Sequence, residues 1–131
     1  MALVRNLALL AFALLFTQVA AAQILAGTFE ITDLNNQPIV LGATVITVVQ
    51  RDGSGKLVSK DTIDLHDGNG PQTMPDEEAT YYQTDRFGLE YSWVNARGTV
   101  GVLYFDWGRS RWVSIVMTGP NEGHESALRR M

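Results

Sequence analysis

Three groups of residues in this chain have the types and spacing for chemistry. The first is the stretch "DLHDGNG", Asp64 to Gly70. Asp64, Asp67 and Asn69 bring oxygen atoms next to glycines, as calcium loops do, and Asp76, Glu77 and Glu78 follow closely. The order of a helix–loop–helix calcium site fails, because Gly68 is misplaced and the distal Glu is missing. Calcium therefore stands as a candidate against an ordinary polar loop. His66 lies between Asp64 and Asp67, and His124 between Glu122 and Glu125. Neither spacing sets several ligands on one face, so both read as solvated loop residues.

The second group is aromatic. Trp107 sits in the turn "DWGRS" beside Arg109 and Arg111, with Tyr104 before it and Trp112 just after. An exposed tryptophan there would stack on a sugar ring or anchor a protein interface. The alternative is an indole closing one end of the fold with the arginines packed on its face. The third group is nucleophiles and carboxylates. Ser92, Ser110 and Ser114 lack a nucleophile-elbow sequence, and acidic pairs occur in any acidic chain. The expectation is a protein that is not an enzyme and holds no resident cofactor.

These residues must be positioned by strands. "GTFEITD" places Phe29 and Ile31 on one face, and "GATVITVVQ", Gly42 to Gln50, is β-branched on both faces and suits a central strand. "RDGSGK" marks a hairpin. "LVSKDTIDL", Leu57 to Leu65, is more polar and reads as an edge. His66 to Ala79 breaks the rhythm as a long loop. In "LEYSW", Leu89, Tyr91 and Trp93 share a face, and alternation makes Trp93 a core residue. "TVGVLYFD" separates Leu103 and Phe105 from Val100, Val102 and Tyr104. "RWVSIVMT" separates Trp112, Ser114 and Val116 from Val113, Ile115 and Met117. The spacing predicts seven or eight short strands and an antiparallel β-sandwich, with residues 121–131 as a flexible tail.

Arg5, the apolar run Leu7 to Phe16 and the small residues Ala20 to Ala22 have the form of a signal peptide. Residues 1–22 are thus expected to form a hydrophobic leader helix removed on export, leaving a domain over residues 23–120. A retained anchor would have to take in Thr17, Gln18 and Gln23. The expected location is secreted or cell-surface, without membrane insertion after cleavage. The chain has no cysteine, so an apolar core must stabilise it. Its formal charge of −4 becomes −5 when Arg5 leaves with the leader, which disfavours nucleic acid as a partner. The apolar stretch "QILAGTFEI" offers Ile24, Leu25, Phe29 and Ile31 either to its own sheet or, as a donated strand, to a neighbouring copy in a homo-oligomer.

Two stretches, "ITDLNNQPIVLGATVITV" and "TDRFGLEYSWVNARGTVGVLYFD", together resemble bacterial invasin/intimin-type Ig-like repeats and carboxypeptidase-regulatory-like domains. The first carries those families' strand ending in Asp, polar turn leading to Pro and Gly-Ala-x-Val strand; the second carries their later Thr-Asp-x-x-Gly turn, an alternating strand and a Gly-Thr-Val strand. The resemblance implies an Ig-like sandwich of about seven strands acting in adhesion or in building an extracellular structure. Its partners would then be protein or glycan. A secreted carbohydrate-binding module using the exposed tryptophans is the competing expectation.

Overall fold

The computed structural model describes residues 24–131; the leader and its cleavage point lie outside the described residues. Nine strands follow one another: β1 (Gly27–Thr32), β2 (Thr44–Arg51), β3 (Leu57–Asp64), β4 (Pro71–Thr73), β5 (Ala79–Gln83), β6 (Glu90–Asn95), β7 (Val100–Asp106), β8 (Arg111–Val116) and β9 (Glu125–Arg130). All pairings between them are antiparallel.

The sheet is not the expected Ig-like sandwich. Each long strand pairs with the next, and β1 also pairs with β9, so eight strands close into an up-and-down barrel. The short β4 stands outside the ring, on the upper part of an edge of β3 whose lower part pairs with β5. Alternation along a strand is the same in a sandwich and in a barrel, because both have one inner and one outer face. What differs is whether the first and last strands meet, and here they do.

Closure also corrects the expected flexible tail. Residues Glu125–Arg130 form β9, hydrogen-bonded to β8 on one side and β1 on the other. "ESALRR" carries little apolar periodicity, yet Ala127 and Leu128 are buried within it. Its backbone groups complete the ladders on both sides, and Leu128 joins the core cluster. Arg129 bonds Glu30 at 2.8 Å on the outer face. Arg130 lies over the Phe29 ring and donates to the carbonyls of Ile24 and Ala26, tying the N-terminal segment to one end.

Turn chemistry follows the sequence. Asp33, Asp52 and Asp85 each accept two backbone N–H bonds from their own turns. Gly88 takes φ 70°, which the turn after Asp85 requires. The polar strand β3 is no edge, being paired along its length with β2 and, on the other side, with β4 and β5. The long segment after it is also structured, by β4 and a 3-10 turn over Pro75–Glu77.

The barrel is filled unevenly. One end is plugged by Leu25, Phe29, Val49, Leu57, Tyr91, Phe105 and Trp112, all buried. Trp112 meets Tyr91 at 5.9 Å and Phe105 at 5.5 Å between ring centroids, both inclined. Burial of each such side chain contributes about 1.5–3 kcal/mol. The turns β2–β3, β5–β6 and β7–β8 lie at this end. The loops β1–β2, β3–β5, β6–β7 and β8–β9 lie at the other, and beneath them the interior is open.

Candidate functional site

The open end holds a cavity of about 710 Å³ running from the four loops into the barrel. An eight-stranded barrel has an interior wide enough to be filled by side chains or to hold one small ligand. This one does the first at one end and leaves room for the second at the other. The volume lies inside the range of small-molecule sites, about 300–1,000 Å³.

Register shows how the wall is built. Inward residues of neighbouring strands stand side by side in rows. One row runs Tyr81, Trp93, Gly101, Val116 across β5 to β8. An added Cβ at Gly101 would lie 2.1 Å from the Trp93 indole, so only glycine lets the ring lie across β7. The indole Nε1 then donates to Ser114 Oγ on β8 at 3.0 Å, which fixes the ring. Trp93 thus belongs to the interior, as its alternation suggests, and one part of it faces the cavity. Ile31, Val45, Leu103 and Leu128 complete the apolar wall.

The polar part of the wall comes from β2, β3 and β6. Thr47 and Asp61 are direct cross-strand neighbours facing inward. Thr47 is 2% exposed and Asp61 9%. Thr47 Oγ1 and Asp61 Oδ1 have no hydrogen-bond partner in the protein. Burial pushes the Asp61 carboxyl up to about 6; the adjacent Thr47 hydroxyl, close by but short of a hydrogen bond, opposes the rise, and Glu77 and Glu78 add to it. Burial likewise raises the Tyr81 phenol to about 12, so it stays neutral. Ser59 Oγ accepts the Ala79 amide at 3.2 Å. Asn95 Oδ1 accepts the amides of Arg97 and Thr99, each at 3.0 Å, and so shapes the β6–β7 turn at the mouth. Arg97 pairs with Glu77 there. Met74, Glu77 and His124 also line the mouth, so the segment His66 to Ala79 contributes to the site.

The residues singled out from the sequence lie elsewhere. Trp112 is not exposed beside Trp107; it is 1% exposed, inside the closed end. Trp107 is 58% exposed, its ring edge-on to Phe105 at 5.2 Å. Arg109 pairs with Asp106 at 2.6 Å, and Arg111 bonds Asn36 of the β1–β2 loop. Tyr104 is half-buried on the outer face. Trp107, Arg109 and Trp112 cluster around the closed end, but Trp112 is inside the wall and the others outside it. Ile24 is exposed, Leu25 and Phe29 belong to the plug, and Ile31 lines the cavity. Both edges of β1 are paired within the chain, so this strand completes its own sheet.

Asp64 Oδ1 and Asp67 Oδ1 accept amides of His66 and Asn69, at 2.8 and 3.1 Å, within their own turns. His66 Nε2 lies 2.8 Å from Thr44 Oγ1. Among the described residues no group of three or more His, Asp or Glu side chains is placed to hold a metal ion. The residues that do converge, Thr47, Ser59, Asp61, Tyr81 and Asn95, carry no motif. Their one signal in the sequence is period two: Thr47 alternates with Val45 and Val49, and Ser59 and Asp61 with Leu57.

Comparison of the chain with protein-family models, with curated proteins and with solved structures finds no match.

Proposed function

We propose that this chain is an exported, non-enzymatic binding protein that holds a small, partly apolar molecule inside one end of its barrel. The observation that carries this reading is the 710 Å³ cavity under the four loops, set above a fully packed floor. Its lining joins an aromatic and aliphatic wall to a few buried polar groups, the composition of small-molecule sites in general. The leader-like residues 1–22 support export.

A large side chain placed in the cavity tests this. Ser126 lies on β9, beside Ser114 in the inward row. Ser126→Trp is expected to abolish the binding and fluorescence gain of Nile red while leaving a cooperative thermal transition. Undiminished dye binding in this variant, or none in the unaltered protein, refutes the reading. Adhesion to glycan or protein through the outer surface is a second reading, favoured by the exposure of Trp107. It predicts surface binding that Ser126→Trp leaves intact.

A further inference from the structure

We infer that the cavity selects a protonated amine carried on an apolar body, with the ammonium group against Asp61 and Thr47 and the body against Trp93 and Tyr81. The inference rests on the small-molecule reading above and sharpens it to a ligand class. Asp61 and Thr47 line the same space from adjacent strands, and one oxygen of each is buried without a hydrogen-bond partner in the protein. A buried polar atom left unsatisfied costs roughly 1–3 kcal/mol; a third one, Trp112 Nε1, lies in the plug, and of these only Asp61 and Thr47 stand beside the cavity, where a ligand can supply missing bonds. An ionised carboxylate accepts only, and a hydroxyl accepts as well as donates. An ammonium group, with three donors and no acceptor, satisfies both.

The charges around the site point the same way. The charged or titratable groups lining the cavity are Asp61, Glu77, Arg97, His124 and Tyr81. Arg97 is paired with Glu77 at the rim, leaving no cation beside Asp61. Glu78 adds a further negative charge nearby. A carboxylate or phosphate ligand would meet this field unfavourably. The aromatic side chains of Tyr81 and Trp93, cross-strand neighbours on β5 and β6 that line the cavity, suit both the apolar body and the cation.

Isothermal titration with matched pairs tests the assignment: hexylamine against hexanol, phenethylamine against 2-phenylethanol, tryptamine against tryptophol. At pH 8 the amine of at least one pair is expected to bind tenfold or more tightly than its alcohol. In Asp61→Asn that ratio falls to near one while alcohol binding is kept, and Thr47→Val reduces it in part. Equal affinity for amine and alcohol in every pair, or amine selectivity that survives Asp61→Asn, overturns the amine assignment and leaves the cavity reading standing. Failure of all six compounds to bind overturns both.

Discussion

Replacing Asp61 by Asn offers a quantitative test of the buried carboxylate. In the unfolded chain the group titrates near 3.8, and in the fold burial raises it to about 6. Between those values the folded state holds the proton more tightly, so stability falls as pH rises. The penalty is absent below about pH 4, grows to about pH 6 and is complete above it. A difference of roughly two units at 1.36 kcal/mol each makes it about 3 kcal/mol at pH 7. Asn matches the protonated acid in shape and carries no charge. Asp61→Asn should therefore stabilise the protein at pH 7 by about 2–3 kcal/mol and leave it nearly unchanged at pH 4. For a domain of this size that is about 10 °C in Tm. Urea denaturation at pH 4, 5, 6, 7 and 8 measures the difference curve. A stability difference that does not vary with pH, or a loss of stability in Asp61→Asn at pH 7, would refute the placement of an uncompensated carboxylate in the cavity wall.

Two further outcomes follow from the packing. Gly101→Ala forces its methyl against the Trp93 ring and the Ile115 carbonyl, and should cost about 1–3 kcal/mol in urea denaturation while shifting tryptophan emission. Removing residues Glu125–Met131 deletes β9 and exposes edges of β1 and β8, so the truncated chain should lose its cooperative transition; a retained one would mean that the ring does not depend on closure.

Much of the local structure is legible in the residues themselves. Alternation identifies the strands that carry Phe29, Tyr91, Trp93, Leu103 and Trp112 and separates their two faces. Asp33, Asp52 and Asp85 mark turns because a short carboxylate bonds the amides that follow it. The absence of cysteine assigns stability to packing and backbone pairing. None of this needs knowledge of which strand neighbours which.

Tertiary structure alone decides the rest. Closure joins β1 to β9, and the Glu30–Arg129 pair spans 99 positions of the chain. Backbone amides pair without regard to the side chains they carry, so "ESALRR" shows no sign of its role. A strand pattern states which side chains share a face, but not whether the sheet's two edges meet. That meeting turns Asp61 from a polar residue of an apparent edge strand into a buried acid, draws Trp112 into the plug and leaves room beside Trp93 for a ligand.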